Sequence, residues 1–97
     1  SNNNLKGALP AEIRQLKKLR KLDVSDNQMT GIPAEIGQLE MLEELDYSNN
    51  QLTGLPLELG NLKRIKKINF SGNKDLSQFD LSKIREALPK DVVIITD

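Results

Sequence analysis

The sequence predicts an α/β repeat solenoid that ends in a helix and a strand. Three observations predict it: a 23-residue period, period-two apolar alternation inside each repeat, and a C-terminal stretch where both patterns change. The first of the three is Leu16-x-x-Leu19-x-x-Leu22-x-Val24-x-x-Asn27. It recurs as Leu39-x-x-Leu42-x-x-Leu45-x-Tyr47-x-x-Asn50 and as Leu62-x-x-Ile65-x-x-Ile68-x-Phe70-x-x-Asn73. Self-similarity at this period marks a solenoid, in which each unit can bury its apolar face only against its neighbours.

Each element of the repeat has a local reason. Around residues 21–25 apolar and polar residues alternate, as in a strand with one buried face, and residues 44–48 and 67–71 repeat the pattern. Asn27, Asn50 and Asn73 follow these strands. A short amide side chain can satisfy the backbone groups of a turn inside the stack, so the asparagines read as structural. Pro10-Ala11-Glu12, Pro33-Ala34-Glu35 and Pro56-Leu57-Glu58 come next. Proline suits the first position of a short helical turn, and a carboxylate two residues later faces its positive end. Tyr47 takes an inner position shared with Val24 and Phe70, so it is expected in the core with its hydroxyl at a polar edge.

This skeleton resembles the typical class of the leucine-rich repeat family. Thr30-Gly31-Ile32-Pro33-Ala34-Glu35-Ile36-Gly37 and Thr53-Gly54-Leu55-Pro56-Leu57-Glu58-Leu59-Gly60 resemble the family's L-P-x-x-I/L-G turn. The resemblance covers residues 1 to about 76. It implies a horseshoe arc with a parallel sheet on the concave face, short turns on the convex face, an asparagine ladder (Asn3, Asn27, Asn50, Asn73) and protein recognition as the usual role. The expected organisation is repeats over 1–76, with an incomplete first repeat 1–15, then 16–38, 39–61 and 62–76, and a cap over 77–97.

The ends depart from the repeat. Ser1-Asn2-Asn3-Asn4-Leu5 aligns with Ser48-Asn49-Asn50-Gln51-Leu52, so the chain starts in mid-repeat. The expectation is a piece of a longer protein whose open N-terminal edge, near residues 21–25, favours self-association. After Asn73, Leu76 and Phe79 fall one residue late. Residues 80–88 then read as an amphipathic helix with Leu81, Ile84 and Leu88 on one face, Asp80 as N-cap and Pro89 as stop. Val92-Val93-Ile94-Ile95 is β-branched, a last strand in which Val92 and Ile94 continue the inner column from Ile68 and Phe70. The helix-then-strand ending resembles the C-termini of many bacterial repeat proteins.

Composition narrows the function. Lys+Arg and Asp+Glu number 14 each, so no net field draws the chain to nucleic acid or to an anionic membrane. No apolar run is long enough to span a bilayer. There is no cysteine and no histidine, which removes thiol chemistry, the usual zinc sites and any Ser-His or Cys-His nucleophile. No cofactor is expected, and no catalytic or metal-binding residue emerges. The row of glutamates behind the prolines is explained by the turns.

The resemblance places partner binding on the outward residues of the strands. These form columns: Lys21, Glu44 and Lys67; Asp23, Asp46 and Asn69; Ser25, Ser48 and Ser71. Val93 is expected to extend the aspartate column and Ile95 the serine column. The segments LKKLRKL, LEMLEEL and LKRIKKI are basic, acidic and basic, so Arg20, Glu43 and Lys66 alternate, as do Lys17, Glu40 and Lys63. Opposite charges on adjacent strands contribute about 0.2–1 kcal/mol per pair. Asn69-Phe70-Ser71 is formally a glycosylation sequon but lies inside a strand. The first functional reading is a non-catalytic interaction module that binds a protein partner of unknown identity on the concave face. The alternative is a structural spacer or end cap of a larger protein whose upstream domain carries the activity.

Overall fold

Alternating apolar and polar residues produce short parallel strands, each returned to the next by a short turn or helix. The computed structural model describes residues 6–7 and 16–96, with side chains over 16–96. Among the described residues the strands are β1 (Lys6–Gly7), β2 (Lys21–Asp23), β3 (Gln28–Met29), β4 (Glu44–Asp46), β5 (Lys67–Asn69) and β6 (Val93–Ile95), with one α-helix, α1 (Gln78–Ala87). The main sheet runs β2-β4-β5-β6 and all its pairs are parallel. β1 pairs with β3 in a second, two-stranded sheet that period-two reading of residues 21–25 does not anticipate. Asn3 and the turn residues Pro10 and Glu12 lie outside the described residues.

The core is one stack of columns. Leu45 and Ile68 face inward from the strands, Leu42 and Ile65 precede them, Leu39 and Leu62 begin the repeats, and each is 2% exposed or less. Full burial of each such side chain contributes about 1.5–3 kcal/mol. Leucine and isoleucine fill most of this volume, and Tyr47, Phe70 and Met29 are its largest fully buried side chains.

The strands end through an exchange of hydrogen bonds. A parallel ladder would continue upward from Val24 N, which donates to Asp46 O at 2.7 Å, and Asp26 N, which donates to Ser48 O at 3.0 Å. The rung between them would be Ser48 N to Val24 O. Instead Ser48 N donates to Asp46 Oδ1 at 2.9 Å. The vacant acceptor, Val24 O, receives Asn50 Nδ2 at 2.9 Å. One repeat later Ser71 N donates to Asn69 Oδ1 at 3.0 Å, and Asn73 Nδ2 donates to Tyr47 O at 2.9 Å. The asparagine amides also donate within their own repeats, Asn50 to Tyr47 O and Asn73 to Phe70 O. Their carbonyl oxygens accept from Met29 N and Leu52 N at 2.9 and 3.0 Å. Asn27 donates to Val24 O and Ser25 O. All three are under 9% exposed, so without these bonds several buried backbone groups would lack partners. At the bend Asp26 and Asn49 adopt φ of 57° and 56°, and Gly72 adopts 78°. Asp, Asn and Gly are the residue types that tolerate this left-handed region.

On the opposite side, among the described residues, lie two 3₁₀ turns, Ala34–Gln38 and Leu57–Asn61. Pro33 and Pro56 sit one position earlier than expected, as N-caps with φ of −68° and −74°. Their carbonyls accept the first turn bonds, from Ile36 N and Leu59 N at 3.1 Å each. Ile36 and Leu59 are fully buried. The glycine after each has a packing reason. A Cβ at Gly37 would strike the backbone carbonyl of Glu58, and one at Gly60 would come within 2.6 Å of Ala87 Cβ. The two turns therefore stack with backbone almost in contact, and the Ala87 methyl of α1 packs directly on Gly60.

The C-terminal region differs from expectation in two details. Ser77, not Asp80, caps α1: its hydroxyl accepts from Asp80 N at 3.1 Å. Asp80 is drawn away because its Oδ2 accepts from Leu55 N at 3.0 Å, which fastens the helix to the preceding repeat. Leu81, Ile84 and Leu88 are buried at 5% or less, whereas Phe79 is 70% exposed beneath Lys83. β6 is also shifted by two residues. Val93 pairs with Lys67, Ile94 with Ile68 and Ile95 with Asn69. Strand alternation fixes only which face a side chain takes, and a shift of two preserves it.

Tyr47 is fully buried and its hydroxyl has no hydrogen-bond partner, contrary to the expected polar edge. Burial raises its pKa far above the usual phenol value. An unsatisfied buried hydroxyl costs about 1–3 kcal/mol. Tyr47→Phe is expected to leave urea stability unchanged or raise it by about 1 kcal/mol. A loss of that size would show that the hydroxyl is satisfied.

Candidate protein-binding face

The sheet presents one face to the core and the other to solvent. Pairing sets two outward columns: Lys21, Glu44, Lys67 and Val93, then Asp23, Asp46, Asn69 and Ile95. Val93 thus extends the lysine–glutamate column and Ile95 the aspartate column, each one column from its expected place. The reason is the two-residue shift of β6. Val93 is 55% exposed, while Ile95 is half-buried.

The serines do not form an outward column. Ser25 and Ser48 are 7% and 6% exposed, and Ser71 is half-buried. They lie just past the ends of their strands. There each hydroxyl turns back to the residue two before it: Ser25 Oγ to Asp23 Oδ1 at 2.6 Å, Ser48 Oγ to Asp46 Oδ1 at 2.6 Å, and Ser71 Oγ to Asn69 Oδ1 at 2.8 Å. The Asx–Ser pairs recur in the sequence, but alternation alone places the serine outside. The signal that finds this clip is the two-residue spacing of Asp or Asn from Ser.

The clip orients the carboxylates. The Ser25 hydroxyl, and then the Ser25 backbone N–H, hold the Asp23 carboxyl below the usual aspartate value. Hydrogen bonds to the ionised form cause such a shift. Asp23 and Asp46 stand directly opposite one another in register. Parallel strands lie ~4.8 Å apart, so these like charges are neighbours.

The charge alternation is only partly paired. Lys21 Nζ is 3.5 Å from Glu44 Oε2. Glu43 sits between two cations, Arg20 Nε at 4.0 Å and Lys66 Nζ at 3.8 Å. Among the described residues, no ion pair joins Lys67, nor links Lys17, Glu40 and Lys63. Exposed pairs of this kind contribute roughly 0–1 kcal/mol each. Between β2, β4 and β5 the face has a shallow hollow of about 170 Å³ lined by Lys21, Asp23, Glu44, Asp46, Lys67 and Asn69. No cluster of three acidic, histidine or cysteine residues fit to hold a metal occurs among the described residues. No helix among them is long and apolar enough to cross a membrane.

The family described as leucine rich repeat matches residues 1–52, and that described as leucine rich repeats in two copies matches residues 40–83. The chain belongs to the leucine-rich repeat family. Its sheet, short turns and repeat stack form a leucine-rich repeat solenoid. A leucine-rich repeat protein of Leptospira interrogans is similar, with TM-score 0.82 and 39% identity over 91% of this chain. The ectodomain of the plant membrane receptor kinase GASSHO1/SCHENGEN3 from Arabidopsis thaliana, in complex with CASPARIAN STRIP INTEGRITY FACTOR 2, has TM-score 0.67 and 43% identity over 74% of the chain. The plant peptide hormone receptor RGFR1 in complex with RGF2 has TM-score 0.72 and 36% identity over 96%. The chain spans 22%, 9% and 15% of those three proteins' chains, respectively. No curated protein sequence matches it. The leucine-rich repeat fold is generally a non-catalytic interaction fold.

Asp23 offers a direct check on the clip. Its carboxyl is expected to titrate below 3.8 by NMR, and Ser25→Ala is expected to move it upward. Because the folded value is depressed, the clip contributes stability above the unfolded value and loses it as pH falls through the folded one. An Asp23 titration unchanged by Ser25→Ala would show that the hydroxyl does not hold the carboxylate.

Proposed function

We propose that this chain is a non-catalytic module that binds a protein partner on the concave sheet face. Lys21, Asp23, Glu44, Asp46, Lys67, Asn69, Val93 and Ile95 would make the contacts. The observation that carries this reading is that the face is not internally neutralised. Lys67 has no ion pair among the described residues, Asp23 and Asp46 stand side by side, and Val93 is exposed beside Lys67. A face of charges with fixed orientation next to an apolar residue suits polypeptide recognition, where polar contacts set register and apolar contact adds affinity.

Two of the similar solved proteins are receptors in complex with their factors, which supports a polypeptide partner here. The serines lie under the face and serve it indirectly, by holding Asp23 and Asp46. A purely structural spacer would need no unpaired charge on this face, so the binding reading is preferred.

Photocrosslinking tests the reading. With p-benzoylphenylalanine in place of Lys67, extract from the native source is expected to yield a discrete polypeptide adduct. The same probe in place of Glu86, on the exposed side of α1, is expected to yield none. Equal labelling from both positions, or none from position 67, would count against the concave face.

A further inference from the structure

A second charged surface lies beside the sheet, on the segments that lead into β2, β4 and β5. The first segment carries Lys17, Lys18 and Arg20, the second Glu40 and Glu43, the third Lys63, Arg64 and Lys66. All six cations are exposed. In a chain with equal numbers of acidic and basic residues, this flank is strongly positive.

Pairing leaves most of that charge uncompensated. Glu43 lies between Arg20 and Lys66, so those two cations share one carboxylate. Lys17, Lys63 and Arg64 share one hollow with Glu40, Lys18 follows Lys17 in the chain, and no ion pair joins any of them among the described residues. Among the described residues, Lys63 Nζ is hydrogen-bonded to the carbonyl of Gly60, at 3.4 Å, and Arg64 Nη1 to the Met41 sulfur, at 3.2 Å. Lys17, Glu40, Lys63 and Arg64 line an open hollow of about 520 Å³ against the ends of the two 3₁₀ turns.

We propose that this flank docks an extended acidic segment of a partner protein. Its order is basic, acidic, basic from repeat to repeat, and the complementary order is acidic, neutral or basic, acidic. Two strand spacings separate the basic groups by about 10 Å, and an extended peptide covers that distance in about three residues. One carboxylate meets Lys17 and Lys18, and a second, three residues on, meets Lys63 and Arg64. Nucleic acid fits less well, because no aromatic stands among these residues to stack on a base and Glu40 opposes a continuous line of phosphates. A second copy of this chain fits less well too: a two-fold centred on the middle segment sets basic against basic and acidic against acidic, and a shifted one leaves a basic segment unmatched on each copy. The surface is separate from the concave columns and its binding does not require theirs.

The test is fluorescence anisotropy with a labelled peptide that repeats Glu-Ser-Ser. Its control has the same composition with the glutamates gathered at one end. The repeating peptide is expected to bind more tightly than the control, and less tightly as salt rises. Lys63→Glu with Arg64→Glu is expected to weaken binding about tenfold. Lys74→Glu with Lys90→Glu changes net charge equally at other exposed positions and is expected to leave binding unaltered. Circular dichroism establishes that both variants are folded. The proposal is overturned if the two variants lose affinity equally, if the peptide does not bind, or if a single-stranded oligonucleotide or phosphatidylserine vesicles bind more tightly than the peptide.

Discussion

The structure depends on how a parallel ladder is ended inside a dry stack. Each repeat must turn its chain out of the sheet while its neighbours remain in register. An open rung at that point would leave buried carbonyls and N–H groups unsatisfied, at about 1–3 kcal/mol for each. The chain solves this with two side chains per repeat. An Asp or Asn at the strand end takes the N–H of the serine two residues later, and the ladder asparagine supplies the missing donor to the preceding repeat. The two exchanges are interdependent: without the cross-repeat asparagine, the clip would leave Val24 O and Tyr47 O with only the asparagine of their own repeat as donor.

This exchange joins the hidden side of the molecule to the exposed one. Asp46 and Asn69 look toward solvent, yet each has an oxygen committed to the strand end. Asp23, Asp46 and Asn69 on the concave face are therefore held in fixed positions by bonds within their own repeats, at the spacing that strand register sets. Preorganised groups lose less freedom on binding, which favours their use in recognition. The charge pattern is likewise a consequence of register. Because residues 23 apart stand opposite one another, a basic, acidic and basic set of segments becomes a surface stripe. Glu43, between Arg20 and Lys66, shows that part of this stripe is internally balanced, while Lys67 and the cations around Glu40 are not.

Most of the architecture was legible because the repeat supplies the same evidence three times. The inward leucines, the proline turns and the asparagine positions all follow from spacing. What escaped the reading depended on tertiary geometry. Ser25 and Ser48 alternate outward on paper, but a local hydrogen bond folds them under the face. Ser77 and Asp80 are both good helix caps, and the bond from Leu55 N to Asp80 decided between them. The β6 shift keeps the inward–outward parity that sequence patterns report, so nothing in the pattern distinguishes it. Tyr47 has room for its ring in the core column but no partner for its hydroxyl, a detail of packing that period-two alternation does not encode.

Native-state hydrogen exchange at the Met29 and Leu52 amides tests the central claim most directly. These two N–H groups donate to the carbonyl oxygens of Asn50 and Asn73. If the asparagine column holds the stack together, both exchange as slowly as the Tyr47 amide just past β4, which donates to Asn69 O. Exchange at these two amides orders of magnitude faster than at Tyr47 would mean that the column opens while the sheet stays intact, and would contradict the account.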